Sequence, residues 1–186
     1  MNTYDFVQLT FLAVGGKIRG KTKLQKTVYF LGIMTRELDN LGYGPHFYGP
    51  YSAEVADAVG QLHALGFLDR NTVQAGPHGG SGFEAIRYDF ALNRAGTQIA
   101  KAKAAAHSNF WKKLDEAAKK LKESGDVDYM KMSVAAKAYF MLGEKHGRAS
   151  PDELAALAPR FGWDVKEKQV IAAVGYLQKL GLVKRN

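Results

Sequence analysis

Cysteine is absent from this 186-residue sequence, and no apolar run is long enough to span a bilayer. The missing cysteine excludes disulfides and thiol chemistry, and it fits a reducing compartment. Residues 6–14 are the most apolar segment near the start, but no Lys or Arg precedes them, unlike the basic start of a signal peptide. We therefore expect a cytoplasmic protein whose first apolar segment is a buried helix.

Recognisable catalytic and metal-binding patterns are also missing. The five histidines are scattered, and none has a metal-ligand spacing. The glycine-rich residues 75–82 lack the Lys-Ser/Thr pair of a phosphate-binding loop, and a predicted strand follows them in place of a helix. The sequence therefore predicts a protein without enzymatic activity, cofactor or metal.

Positive charge is concentrated in the second half of the chain. The net charge is +8. Residues 1–90 carry eight Lys and Arg against eight Asp and Glu, whereas residues 91–186 carry 18 against 10. A basic half attracts phosphate backbones or acidic proteins, although a merely solvated basic surface is the alternative.

One segment occurs twice, 115 residues apart. Residues 59–70 read VGQLHALGFLDR, and residues 174–185 read VGYLQKLGLVKR. In both copies an amphipathic helix ends at a glycine, where a left-handed residue is needed, and an extended segment follows. This is how the third helix of a winged-helix unit passes into its wing, so the repeat predicts two related units.

We expect a mainly α (α+β) protein of tandem winged-helix or helix-turn-helix units. Residues 1–92 are predicted to hold helices over 3–14, from a Thr22 cap to about 38, and from a Ser52 cap to about 65. A β-hairpin wing follows, with strands over 67–74 and 83–92. Ile86, Tyr88, Phe90 and Leu92 alternate with polar residues, which predicts one buried face.

A Lys/Ala-rich helical connector is predicted over residues 93–125, capped by Asn93 and interrupted near 107–109. Phe110, Leu114, Ala117 and Leu121 have coiled-coil spacing, which indicates either a homodimer helix or packing between the two units. The second unit, residues 126–186, is expected to have three helices and no wing. Those helices are predicted over 130–145, from a Ser150 cap to about 161, and from an Asp164 cap over 165–180, with a short helix-turn-helix turn before the last one.

The start of the last helix is the strongest candidate for reading duplex DNA, because a recognition helix presents its first turns to base edges. The predicted DNA contacts are Lys166, Lys168, Gln169, Lys179, Lys184, Arg185, Lys112, Lys113, Lys119 and Lys120. Helix three of the first unit is a poor reader, because Glu54 and Asp57 would repel the backbone.

A second basic group lies early in the chain and has three interpretations. Five cations fall within ten residues: Lys17, Arg19, Lys21, Lys23 and Lys26. They are expected to clamp phosphates, to meet an acidic partner, or to form a solvated face. Together with Glu54 and Asp57, they are the candidate surfaces for a protein partner.

Two short motifs in the first half resemble a known family. The segment KLQKTVYF contains Leu24, Gln25 and Tyr29, and Tyr48-Gly49-Pro50 follows about twenty residues later. Together with the helix and Leu-Gly-Phe that come next, they resemble uncharacterised YwgA-like winged-helix proteins and, more distantly, the Panacea (SocA-like) antitoxin domain. The resemblance covers about residues 17–92 and implies a protein-binding or toxin-neutralising domain. Tyr51-Ser52 departs from the commoner antitoxin continuation.

Two functions therefore compete at this stage. The first is a DNA-binding regulator that grips the duplex with its basic second half. The second is a protein-binding antitoxin or adaptor module of a toxin-antitoxin or defence system.

Overall fold

The computed structural model describes residues 1–74, 86–125 and 128–184, which are mainly helical with one small sheet. The glycine-rich residues 75–82 between the predicted wing strands and residues 83–85 of the return strand lie outside the described residues, as does Arg185. The elements of the first half are α1 (Thr3–Ala13), β1 (Lys17–Arg19), α2 (Lys21–Thr35), α3 (Ala53–Ala64), β2 (Leu68–Gln74) and β3 (Ile86–Leu92). A 3-10 helix, Leu38–Leu41, follows α2.

The first three helices lie close to their predicted positions, with errors at both ends of α2. Ser52 caps α3 as expected, because its hydroxyl accepts a hydrogen bond from the Val55 amide at 3.0 Å. Thr22 does not cap α2. The helix begins at Lys21, and its N-cap is Gly20 (φ +83°). Arg36, in a left-handed conformation, ends α2 at Thr35, short of the predicted residue 38.

The sheet has three antiparallel strands in the order β1-β3-β2. The sequence did not predict β1, because three residues between glycines carry no pattern of their own. β1 forms by pairing with distant β3, with Ile18 opposite Phe90. The expected buried face of β3 is only partly correct: Phe90 is buried, whereas Ile86 is 47% exposed.

The connector is two helices, α4 (Arg94–Ala106) and α5 (Ser108–Glu123), separated at His107 as expected. The Asn93 side chain caps α4. The apolar stripe of α5 faces the chain itself: Leu114 and Ala117 are buried in the common core, and Phe110 packs against Phe6 of α1 with ring centroids 5.9 Å apart. The apolar stripe of α5 therefore packs within the chain. It is not exposed in the way that a coiled-coil dimer would require.

The second half contains α6 (Tyr129–Glu144), α7 (Pro151–Leu157) and α8 (Glu167–Lys179). A 3-10 turn, Ala158–Phe161, extends α7 to its predicted end. The last helix is shorter than predicted: Lys166 is its N-cap, and Asp164 lies outside it. Five residues therefore separate the 3-10 turn from α8, where the sequence predicted about three.

One hydrophobic core runs through both halves of the chain. Phe30 of α2 meets Tyr176 of α8 edge-on at 5.9 Å, and the Trp163 indole donates to the His46 carbonyl oxygen at 2.7 Å. In the described ranges, no helix is both long enough and apolar enough to cross a membrane.

Candidate nucleic-acid interface

One face of α8 is open to solvent over its whole length. Val170, Ala173 and Leu177 point into the core. The opposite side carries five residues at helical spacing, which we call the α8 stripe: Lys168, Ile171, Ala172, Gly175 and Lys179. All of them are exposed except the partly exposed Gly175, and Ile171 is 53% exposed. The stripe therefore has a lysine at each end and small or apolar residues between them.

Gly175 makes the centre of the stripe shallow, although nothing in the described chain requires a glycine there. A Cβ built at this position would meet no atom within 4 Å. Glycine inside a helix costs about 1 kcal/mol relative to alanine. Packing within the protein therefore does not explain a glycine at position 175. The close approach of another molecule to this face would explain it.

The first turn of α8 holds the residues predicted to read bases. Nζ of Lys166 lies 2.8 Å from Asp164, but both side chains are about three-quarters exposed or more, so this pair is weak. The side-chain oxygen of Gln169 accepts from the Lys166 amide at 2.8 Å. Gln169 therefore helps to cap the N-terminus of α8, whereas the Lys168 side chain is exposed on the α8 stripe.

A second basic group surrounds the other end of α8. Lys120 of α5 reaches this end, since a methyl group at Gly181 would meet its Nζ at 2.5 Å. Lys179 and Lys184 flank Gly181 in the chain, and both are exposed. Lys168 and Lys179 are separated by eleven residues, or roughly 16 Å along the helix. Lys168 and Lys179 thus lie at the two ends of one exposed face, and Lys120 and Lys184 lie beyond its second end.

The remaining predicted lysines of α5 are not equivalent. Lys113 lies two turns before Lys120 on the same helix face. Lys119 is paired with Asp115, with Nζ 2.6 Å from Oδ2. Lys112 lines a shallow depression beside Trp111 and Lys101. The structure therefore places Lys120 beside the end of α8, whereas the other three lysines lie earlier in α5.

The early basic group does not form one surface. Lys17 and Arg19 are exposed on β1, and the Lys21 ammonium lies 4.4 Å from the centre of the Tyr88 ring. Lys23 is partly buried. Lys26 is only 2% exposed, and its Nζ donates to the Pro50 carbonyl oxygen at 2.6 Å. The expectation that Lys26 belongs to an exposed contact surface is wrong, because α2 is buried almost all round.

The acidic side chains of the first half are divided between the sheet, which holds Asp69 and Asp89, and the helices. Glu54 and Asp57 are exposed on α3. Glu54 lies near Thr3, whose hydroxyl also reaches the Asn40 carbonyl, and Glu37 pairs with the N-terminal amine at 3.7 Å. The exposed acids of α3 are therefore on a different element from the cations of β1, but the sheet itself carries charges of both signs.

The KLQKTVYF segment forms a set of buried hydrogen bonds with the loop before α3. The Gln25 amide donates to the Ser52 carbonyl at 2.9 Å, and its oxygen accepts from the Ser52 amide at 3.1 Å. The Tyr43 hydroxyl donates to the Gln25 carbonyl at 2.7 Å. Leu24 and Tyr29 are buried in the core beside this set. Gln25 and Lys26 thus fix the loop that leads into α3.

That loop also contacts the second half of the chain. Gly49 (φ +92°) approaches α6 so closely that a Cβ would lie 3.2 Å from the Ser133 carbonyl oxygen. Pro50 is buried and Tyr48 partly buried. Tyr48-Gly49-Pro50 therefore positions α6 against α2, and the described contacts assign it no ligand.

Burial also changes the chemistry of the motif lysine. Desolvation, with a smaller contribution from nearby Lys137, lowers the pKa of Lys26 to about 7. Burial likewise lowers the pKa of Lys137. A neutral amine can act as a base or nucleophile, but Lys26 is enclosed by the protein and would not reach a substrate.

Sequence reasoning missed the middle of the α8 stripe and the residues of the second half that meet the loop at residues 46–50. Ile171, Ala172 and Gly175 were detectable from the spacing of Lys168 and Lys179. Lys137 and Trp163 were not, because only the folded chain brings them to residues 46–50. Across the described ranges, no three His, Asp or Glu side chains are grouped to hold a metal ion.

No protein-family model matches the chain, and no curated protein sequence is significantly similar to it.

Proposed function

We propose that the protein binds duplex DNA through the α8 stripe. The observation that carries this proposal is the exposed face of α8, with lysines at both ends and a glycine at its centre. The spacing of about 16 Å between Lys168 and Lys179 is comparable to the roughly 12 Å width of the major groove, so each lysine can reach a phosphate on one side. Ala172 and Gly175 allow the helix axis to approach the groove floor.

The arrangement of elements supports winged-helix and helix-turn-helix assignments. In residues 1–92 the order is α1-β1-α2-α3-β2-β3, and β3 lies between the other two strands. In the second half, α7 and α8 pack against α6, an arrangement that supports α8 as the recognition helix of a helix-turn-helix. Beyond its second turn, one flank of α8 packs on α2 through Tyr176, while the α8 stripe remains exposed.

The unequal charge of the two repeated helices supports α8 as the contact. Residue by residue, α3 presents Ala53, Asp57, Gly60 and Ala64 where α8 presents Lys168, Ala172, Gly175 and Lys179. The α3 face thus also has a central glycine, but it carries an acid and no lysine. A phosphate backbone would be repelled from α3 and attracted to α8.

A steric variant tests the proposal. Gly175→Leu fills the centre of the stripe and leaves the fold intact, since its Cβ has open space. Gly60→Leu is the matched control, because the equivalent glycine of α3 is equally open. In fluorescence anisotropy with a short labelled duplex at low salt, we expect the Gly175 variant to weaken binding about tenfold, or ~1.4 kcal/mol. Equal affinities for both variants, or no binding by the parent protein, would refute the proposal.

The second candidate is a protein-binding module of the antitoxin or adaptor type. It is favoured by the α3 face, where Glu54 and Asp57 are exposed without a basic neighbour on the helix. Such a face suits a basic protein partner. Charge reversal of Lys168 separates the two candidates, because it removes DNA binding and leaves a contact through α3 unchanged.

A further inference from the structure

A groove separate from the α8 stripe lies between α6, α7 and the end of α8. Its volume is about 1100 Å³. Its walls include four side chains that the core does not fully cover: Leu142, Val174, Leu182 and Val183. A concave site with largely apolar walls and a few polar groups is the usual form of a small-molecule site, and such sites measure roughly 300–1,000 Å³.

The charged groups around this groove are mainly positive. Arg148 and Lys184 line it, are exposed, and form no ion pair with any residue in 1–74, 86–125 or 128–184. The carboxylate that lines it, Glu153, is already engaged: its Oε2 accepts from the amide and hydroxyl of Ser150 at 2.8 and 2.9 Å. These hydrogen bonds lower the pKa of Glu153, which keeps its negative charge, so Arg148, Lys184 and Glu153 together give the groove one net positive charge.

A neutral donor completes the set. Tyr139 lines the groove, and burial raises the pKa of its hydroxyl, so it keeps its proton at neutral pH. A protonated hydroxyl can donate to a carboxylate, and an arginine can bind the same group with two parallel hydrogen bonds.

From the apolar walls and the two cations we infer that this groove binds a small amphipathic carboxylate, with its apolar body against α6 and α8 and its carboxylate at Arg148 and Lys184. Of the α8 residues in this wall, Leu177 lies about half a turn from the α8 stripe, whereas Val174 and Gln178 lie closer to it. The inference concerns the groove alone and holds whether or not DNA binds α8.

Gly143 offers a direct way to fill the groove. It lines the groove within α6, and a Cβ built on it meets no atom within 4 Å. Gly143→Leu is therefore expected to fold, with an unchanged or higher Tm, and to occupy the space of the ligand. Gly60→Leu again supplies a matched control, on a helix outside the groove.

The test uses decanoate as the anionic probe and decylammonium as its cationic counterpart, in calorimetric titrations without DNA. We expect decanoate to bind the parent protein and Gly60→Leu equally, and to bind Gly143→Leu at least tenfold more weakly. Decylammonium is expected not to bind.

A charge variant provides a second arm that does not depend on how Gly143→Leu folds. Arg148→Ala with Lys184→Ala is expected to weaken decanoate about tenfold. Arg160→Ala with Lys131→Ala removes the same charges outside the groove and should leave decanoate binding unchanged. Absence of decanoate binding, equal binding by Gly143→Leu, or equal binding of decylammonium would each overturn the inference. Loss of DNA binding by the Gly175 variant with decanoate binding intact would separate the two proposals.

Discussion

Replacing the buried motif lysine by methionine is expected to flatten the pH dependence of stability. Lys26 is 2% exposed, and its pKa falls from 10.5 to about 7 on folding. The unfolded chain therefore holds this proton up to about pH 10.5, whereas the folded chain releases it near pH 7. Because the unfolded state binds more protons in this window, stability rises with pH.

The size of the effect follows from the pKa shift. The full shift corresponds to about 5 kcal/mol, of which about 2 kcal/mol is gained between pH 7 and pH 9. Below pH 7 the ammonium is charged in both states, and the penalty of burying it is complete. Lys137, whose pKa burial also lowers, adds a smaller contribution of the same sign.

Urea denaturation followed by tryptophan fluorescence at several pH values measures this effect. Lys26→Met keeps the apolar stem and removes the ammonium, so we expect it to lose most of the rise between pH 7 and pH 9. It also leaves the Pro50 carbonyl without this donor, which costs about 1–3 kcal/mol at every pH. Lys113→Met, at an exposed position of α5, should keep the parent slope. A parent protein whose stability does not rise with pH, or a Lys26→Met variant that keeps the full slope, would refute the reasoning.

Three further predictions concern stability and are measured by urea denaturation. Gln25→Ala should destabilise by about 2–5 kcal/mol, because the buried Ser52 amide and carbonyl both lose their partner, whereas Gln61→Ala on the exposed face of α3 should change little. Gly96→Ala should cost about 1–3 kcal/mol or more, because its Cβ would overlap the Phe67 carbonyl; an unchanged urea midpoint would contradict this packing. Gly175→Ala should stabilise by about 0.5–1 kcal/mol, because its methyl group meets open space, and a loss of stability would show that the protein itself needs this glycine.

Local patterns predicted the helices well because their signals lie within each segment. Ser52 and Asn93 are N-caps as expected, and the second half follows its predicted order of three helices. The break near His107 was also correct. Each of these depends on residues within about four positions, which the sequence displays directly.

Long-range features were not predictable in the same way. β1 exists only through its pairing with residues 89–91. Lys26 resembled its exposed neighbours in the sequence, and only the packing of α2 on all sides shows that it is buried. The α5 stripe fitted two interpretations equally, and the choice depended on where Phe6 lies in space.

The candidate site was partly predictable. The sequence indicated the start of the last helix and a basic second half, but it treated the lysines as one group. In the folded chain they divide among the ends of α8, the outer face of α5 and an ion pair with Asp115. Helical spacing alone could have identified the glycine at the centre of the stripe.

The most direct measurement is the salt dependence of duplex affinity for the parent protein and for Lys168→Ala with Lys179→Ala, between about 50 and 200 mM salt. If both lysines contact phosphates, the slope of log affinity against log salt becomes shallower by about 2 in the variant, or about 1 for each lysine. The matched pair Lys112→Ala with Lys113→Ala should change the slope less. A slope that is the same for the parent protein and the α8 variant would contradict DNA binding through this helix.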